Sequence, residues 1–155
     1  MLMENSMIGD TRHLKDEIRD LVKKKLPIVI DFDGTVCKHH YPKIGDTCPN
    51  CVEVLKKWTD NGVGLILDTM RSGEYLKDAI EWFKERNIPL YGIGAEPYQK
   101  SWTESTKAYG ILSVDDRNLG VPLIMEEGER PYVDWKKIDE NYSDIIIKMA
   151  QNYVE

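Results

Sequence analysis

The sequence has no long apolar run, few cysteines and no excess of positive charge. None of its apolar runs approaches the ~20 residues that a membrane-spanning helix requires. The first 20 residues carry charges early and contain no signal-peptide core, so we expect a cytoplasmic protein with no membrane partner. The net charge is −6, from 21 basic and 27 acidic residues. This balance argues against broad electrostatic binding to nucleic acid.

Cysteine is also scarce, with three residues in 155, an odd number that suits a reducing compartment better than a disulfide framework. Cys48 and Cys51 have the C-x-x-C spacing of a redox pair or of half a zinc site. Further ligands could come from Cys37, His39 and His40. A second C-x-x-C is absent, and Pro49 is suited to the first turn of a helix in which the cysteines only pack. The packing role is favoured, and a metal-binding or redox module is the alternative.

The overall composition is that of a soluble globular protein, with 41% hydrophobic and 31% charged residues. The length of 155 residues suits a single domain over 1–155, with a loose tail at 1–9. Apolar residues recur on one face over 12–25, which predicts an N-terminal amphipathic helix.

Apolar strand-like runs alternate with amphipathic helical segments along the rest of the chain. Strands are predicted at 27–30, 63–68, 88–93 and 109–114, with a short fifth at 121–124, and helices at 49–60, 72–86 and 139–151. Strands that are apolar throughout are typical of a parallel sheet covered on both faces. The pattern predicts an α/β fold with a doubly wound, three-layer α/β/α parallel sheet.

Polar residues follow the predicted strands at the points where ligands bind to open parallel sheets. The first strand is followed by Asp31-Phe32-Asp33-Gly34-Thr35, the second leads into Asp68-Thr69-Met70-Arg71, and the fourth leads into Asp115-Asp116. A carboxylate such as Asp31 can attack phosphorus to give an acyl-phosphate that water then cleaves. Asp33 can serve as general acid and base, and Gly34 allows a sharp turn that brings amide groups to a phosphate.

These segments resemble the four motifs of the haloacid dehalogenase superfamily. DFDGTV matches the first motif, LDT the second and VDDRN the fourth, while Lys107 matches the third, with Lys100 as a competitor. The run HHYPKIG resembles small bacterial and phage-type members. The resemblance implies a Rossmann-like core in which Asp31, Asp33, Thr69 and Lys107 are catalytic.

Two carboxylates facing a phosphate dianion would repel it, and a hard divalent cation such as Mg²⁺ removes the repulsion. The expected protein ligands are Asp31, the main-chain carbonyl of Asp33, and Asp115 or Asp116, with the other of that pair in support. Thr69 and Lys107 are expected to stabilise charge on the phosphoryl group.

The segments 36–62 and 69–107, where the family inserts cap domains, are too short for one here. We therefore expect an open site, or a lid supplied by a second copy of the chain in a homo-oligomer. Arg71, which follows Thr69 as in nucleotidase and polynucleotide-phosphatase branches of the family, is a substrate-binding candidate together with Gly34, His40 and Tyr41. The predicted enzyme is a phosphomonoester hydrolase acting on a nucleotide or a 3′-phosphorylated nucleic-acid end. A sugar phosphate or a phosphoprotein is the alternative substrate.

Overall fold

Four short parallel strands form the central sheet of the protein. The computed structural model describes residues 24–153, so the predicted tail at 1–9 and most of the predicted helix at 12–25 lie outside the described residues. The strands are β1 (Leu26–Ile30), β2 (Val63–Leu67), β3 (Leu90–Ile93) and β4 (Leu112–Val114). Their order in the sheet is β3-β2-β1-β4, so β1 lies between β2 and β4. This arrangement confirms an α/β fold with a parallel sheet.

The two central strands are apolar because both of their faces are covered. β2 is buried along its whole length, and β1 is buried at four of its five positions. Their register pairs Ile30 with Leu67, and Ile30 also pairs with Val114 of β4. The carboxyl ends of β1, β2 and β4 therefore lie side by side at one edge of the sheet.

The described residues form three α-helices that pack through aromatic side chains. They are α1 (Cys51–Asp60), α2 (Gly73–Glu85) and α3 (Trp135–Gln151). Trp58 of α1 meets Trp135 of α3 edge-on, with ring centroids 5.6 Å apart. Helix α3 begins four residues before the predicted position 139. Asp134 accepts a hydrogen bond from the Lys137 N–H and so caps the helix.

A second, two-stranded sheet was only half predicted. The expected fifth strand exists as β5 (Leu123–Ile124), but it pairs antiparallel with β6 (Tyr132–Val133) instead of extending the parallel sheet. A strand of two residues is too short to show a period of two, so β6 has no sequence signal. The Val133 N–H donates to the carbonyl of Gly34 at 3.0 Å, which attaches this hairpin to the loop after β1.

The two segments where a cap domain was considered hold small elements of the fold. The first contains an irregular loop and α1, and the second contains α2, β3 and a 3-10 turn at Gln99–Ser101. Neither segment forms a separate domain. No helix within residues 24–153 is long and apolar enough to cross a membrane.

Candidate functional site

Three carboxylates meet where β1 and β4 end. Asp31 follows β1, and Asp115 and Asp116 follow β4. The Asp31 N–H donates to the carbonyl of Val114 at 3.1 Å, which keeps the two strand ends together. One oxygen from each carboxylate lies within 4.8 Å of the others, and all three residues are half-buried. We call these three residues the carboxylate cluster.

The cluster has little positive charge to balance it. Burial and the negative charge of Asp115 together raise the pKa of Asp31 to about 7, and the Phe32 N–H opposes part of this rise. Arg117 lies 3.5 Å from Asp115, but its side chain is 77% exposed. Among the described residues, no other cation forms a salt bridge with the cluster apart from the His39 ring when it is protonated. Closely spaced oxygen ligands with unbalanced negative charge suit a hard divalent cation.

Thr35 connects two members of the cluster, Asp31 and Asp116, through hydrogen bonds. Its fully buried hydroxyl donates to Asp31 Oδ2 at 3.3 Å and accepts from the Asp116 N–H at 3.1 Å. Its carbonyl accepts from the Trp135 indole N–H at 2.7 Å. The sequence reasoning gave Thr35 no role. The sequence feature that could have indicated this role is the threonine of D-x-D-G-T, which lies four residues after Asp31.

His39, rather than the preferred His40, reaches the cluster. Its Nε2 lies 2.8 Å from Asp116 Oδ2, and both side chains are nearly covered. His39 and Asp116 pack against Gly34, where a Cβ would lie 2.6 Å from Asp116 Oδ2 and φ is +82°. The Gly34 N–H donates to the Cys37 carbonyl at 2.6 Å, so it is not free for a phosphate. The structure gives Gly34 a spacing role beside His39 and Asp116, and its predicted substrate contact stays a prediction.

Arg71 contacts protein groups instead of facing the solvent. Its side chain is 0% exposed, and its Nε and one terminal nitrogen donate to the two carboxylate oxygens of Asp33, each at 2.8 Å. The remaining N–H groups donate, at 3.0 to 3.4 Å, to the main-chain carbonyls of Pro42, Lys43 and Tyr75. A guanidinium has five N–H groups, and all of them are used. In this arrangement the guanidinium has no free donor, so a contact between Arg71 and a substrate would require one of these bonds to break, and that contact stays a prediction.

The remaining catalytic candidates, Thr69 and Lys107, differ in how far they are exposed. Thr69 follows β2, is half-buried and accepts the Arg71 N–H at 3.1 Å. Lys107 and its competitor Lys100 are both exposed, and within residues 24–153 neither ammonium forms a salt bridge with Asp31. The structure thus brings Asp31, Asp115 and Asp116 together but does not decide between Lys107 and Lys100.

A buried glutamine, which the sequence reasoning missed, fixes the loop that carries Lys107. Gln99 is 1% exposed, and its amide donates to the Lys107 carbonyl at 2.6 Å. Its side-chain oxygen accepts from the N–H groups of Glu96 and Tyr109. The backbone at Lys107 is therefore anchored, while its long side chain extends from a fixed point.

The two remaining substrate-binding candidates have different surroundings. His40 is about half exposed and lies 3.2 Å from Glu129, after β5, so it joins the loop to the β5–β6 hairpin. Tyr41 is 57% exposed and meets Tyr75 edge-on, with ring centroids 5.5 Å apart. Both side chains are exposed, but the His40 ring is paired with a carboxylate whereas Tyr41 contacts another ring.

The cysteines pack in the core, as the favoured interpretation has it. Cys37, Cys48 and Cys51 are free and at most 1% exposed. Burial raises the pKa of Cys37 and of Cys48 to about 12 and that of Cys51 well above its usual value. Metal binding and thiol exchange both require the thiolate. These surroundings give no support to the alternative of a redox or zinc module.

The sequence matches no protein-family model and no curated protein. A solved structure, that of a conserved protein coded by a locus from Bacteroides thetaiotaomicron, is similar with a TM-score of 0.64 and 35% identity. The match covers 84% of this chain and 99% of that chain. This chain belongs to the same family as that protein. The relative is described only as conserved, so the family does not bring an activity with it.

Proposed function

We propose that this protein is a Mg²⁺-dependent phosphomonoester hydrolase that forms an aspartyl-phosphate on Asp31. The observation that carries the proposal is the carboxylate cluster, at the carboxyl ends of adjacent parallel strands where ligands bind to such sheets. The strand order β3-β2-β1-β4 supports the further proposal of a doubly wound, three-layer core like that of the haloacid dehalogenase superfamily.

The cluster fits a magnesium ion by the chemistry of its donors. Asp31, Asp115 and Asp116 offer oxygen ligands only, which Mg²⁺ prefers. The cation would neutralise the cluster and the substrate phosphate, so that both can be anionic at once. Asp31 has to be ionised to attack phosphorus. A neighbouring positive charge favours the ionised state and so offsets the raised pKa of Asp31.

The reaction divides into two steps at phosphorus. An Asp31 oxygen forms a bond to phosphorus while the bond to the ester oxygen breaks, and Asp33 gives its proton to the departing alkoxide. Asp33 then takes a proton from a water that attacks the acyl-phosphate. Inorganic phosphate leaves, and the Asp31 carboxylate is regenerated. Thr69 and Lys107 are proposed to stabilise the phosphoryl oxygens.

Arg71 sets a condition on the role of Asp33. Both Asp33 oxygens accept hydrogen bonds from the guanidinium. Asp33 can carry a proton to a leaving group only after one of these oxygens is freed. We assign Arg71 as a positioning residue that holds Asp33 between turnovers.

The test is phosphate release from p-nitrophenyl phosphate by the full chain, with Mg²⁺ and with a chelator. Asp31→Asn should lower the rate by about 10⁴-fold or more, because the amide cannot attack phosphorus. Asp60→Asn is the matched control, since Asp60 is exposed at the end of α1, and it should keep the wild-type rate. Wild-type turnover by Asp31→Asn, or full activity in the chelator, would overturn the proposal.

A further inference from the structure

Two exposed tyrosines form a surface patch that the catalytic mechanism does not use. Tyr41 is 57% exposed and Tyr75 is 44% exposed, although aromatic side chains of this size are usually largely buried. Their rings meet edge-on at 5.5 Å, with an interplanar angle of 70°. We call Tyr41 and Tyr75 the tyrosine pair.

The buried Arg71 side chain contacts both members of the tyrosine pair. The guanidinium lies 5.2 Å from the centre of the Tyr41 ring, within reach of a cation–π contact. The same guanidinium donates to the carbonyl of Tyr75 and to that of Pro42, the residue after Tyr41. One buried side chain therefore anchors the backbone beside both rings, so they are held in place before any ligand arrives.

Arg71 also connects the tyrosine pair to Asp33. The guanidinium that lies against the Tyr41 ring donates two hydrogen bonds of 2.8 Å to the Asp33 carboxylate. Asp33 is the residue that, on the proposed mechanism, gives a proton to the departing alkoxide. The leaving group must therefore lie next to Asp33, and the tyrosine pair is the exposed aromatic surface that shares a contact residue with it.

We infer that the tyrosine pair binds the leaving group and that this group carries a flat aromatic base, as in a nucleoside monophosphate. This inference rests on the proposed function. Base stacking on an aromatic side chain is a sequence-tolerant contact that suits an open site. The net charge of −6 favours a mononucleotide over a long nucleic acid, whose binding needs a broad basic surface. The pair thus sets specificity for the leaving group, while the carboxylate cluster and Asp33 carry out the chemistry.

The experiment compares adenosine 5′-monophosphate with ribose 5-phosphate, which has the same phosphate and sugar but no base. The wild-type chain with Mg²⁺ should show a kcat/KM for the nucleotide that is higher by about tenfold or more. Tyr41→Leu and Tyr75→Leu should each remove most of this preference by raising the KM for the nucleotide. The rate with ribose 5-phosphate should fall much less, because that compound has no base to stack on the rings.

Tyr142→Leu is the matched control, because Tyr142 is a similarly exposed tyrosine on α3 at 49%. It should leave the ratio of the two substrates unchanged. Equal turnover of the two substrates by the wild-type chain, or equal loss of both in the tyrosine variants, would overturn the inference. A 3′-phosphorylated oligonucleotide preferred over the mononucleotide would overturn the choice of a small substrate.

Failure of the proposed function would look different, because then neither of these compounds nor p-nitrophenyl phosphate would be hydrolysed. Calorimetric binding of the two compounds to the Asp31→Asn chain still decides the inference in that case. Tighter binding of the nucleotide, lost in Tyr41→Leu, supports the tyrosine pair without any turnover. Equal binding of the two compounds would overturn the inference about the tyrosine pair.

Discussion

Asp33 and the carboxylate cluster lie at the same edge of the sheet, and they differ in how their negative charge is balanced. Asp33 is paired through both oxygens with the buried guanidinium of Arg71. Among the described residues, the carboxylate cluster of Asp31, Asp115 and Asp116 has no buried cation apart from the His39 ring when it is protonated. The protein thus neutralises Asp33 with one of its own side chains, whereas the negative charge of the carboxylate cluster is largely unbalanced.

This difference implies that the same chemical change should have opposite effects on stability at the two places. An amide in place of a carboxylate removes a favourable charge pair at Asp33, but it removes a repulsion at Asp31. Experiments on unliganded protein can therefore test the comparison without reference to catalysis.

The largest effect is expected at the Asp33–Arg71 pair. Asp33→Asn leaves the buried guanidinium without its counter-charge, which should lower the free energy of unfolding by about 3–5 kcal/mol. Urea unfolding of the metal-free chain measures the loss. Asp78→Asn, at an exposed position on α2, should change it by less than about 0.5 kcal/mol. A similar small change for Asp33→Asn would mean that the pair contributes little.

The carboxylate cluster could be predicted from the sequence, whereas the Arg71 pair could not. Asp31 and Asp115 each follow an apolar strand, and parallel strands place their carboxyl ends at one edge of the sheet, so the two residues were expected at the same edge; that β1 and β4 are neighbours came from the structure. The contact between Asp33 and Arg71 spans 38 residues and depends on which way two side chains turn. A charged residue after a strand gives the same sequence signal whether it faces the solvent or the core.

Loops were harder to predict because they have no period. His39 and His40 are adjacent, and no local pattern says which of them turns toward Asp116. The β5–β6 hairpin, which meets this loop through the Gly34 carbonyl, has strands too short to show alternation. The strands and helices were predictable wherever burial imposed a regular pattern, and the positions of loop side chains were not.

A smaller effect is expected from the titration of Asp31. Its pKa in the folded metal-free protein is raised from 3.8 to about 7, so folding favours the protonated acid. The resulting stabilisation of the folded state by protonated Asp31 is fully present below pH ~4 and is lost as the pH rises through about 7. The wild-type chain should thus lose about 2–4 kcal/mol of stability relative to Asp31→Asn between pH 4 and pH 8.

Parallel urea titrations of the two chains at each pH, with a chelator present, measure this difference and cancel the other titrating groups. Adding Mg²⁺ at pH 8 should reverse the difference in stability between the two chains, because only the wild-type cluster keeps all its carboxylates to bind the cation. A cation at 100 times its dissociation constant adds about 2.7 kcal/mol. A stability difference that does not depend on pH would show that Asp31 has an ordinary pKa and that the cluster is not short of positive charge.

The smallest effect concerns Thr35, which joins the two strand ends beneath the cluster. Thr35→Val keeps the shape of the side chain but removes the donor to Asp31 and the acceptor for the Asp116 N–H. A buried N–H without a partner costs about 1–2 kcal/mol, and the same loss should appear in urea unfolding. Thr59→Val is the matched control, since the Thr59 hydroxyl bonds only a carbonyl within its own helix. It should cost less than about 0.5 kcal/mol.

Thr35→Val also separates support of the cluster from simple packing. The hydroxyl donates to an ionised Asp31 and so favours the state that binds a cation, and losing it should weaken Mg²⁺ binding as well as stability. Calorimetric titration with Mg²⁺ should show weaker binding in Thr35→Val and unchanged binding in Thr59→Val. If Thr35→Val lost stability but kept its Mg²⁺ affinity, Thr35 would support only the fold. The geometry of the cluster would then be set by the backbone of β1 and β4 alone.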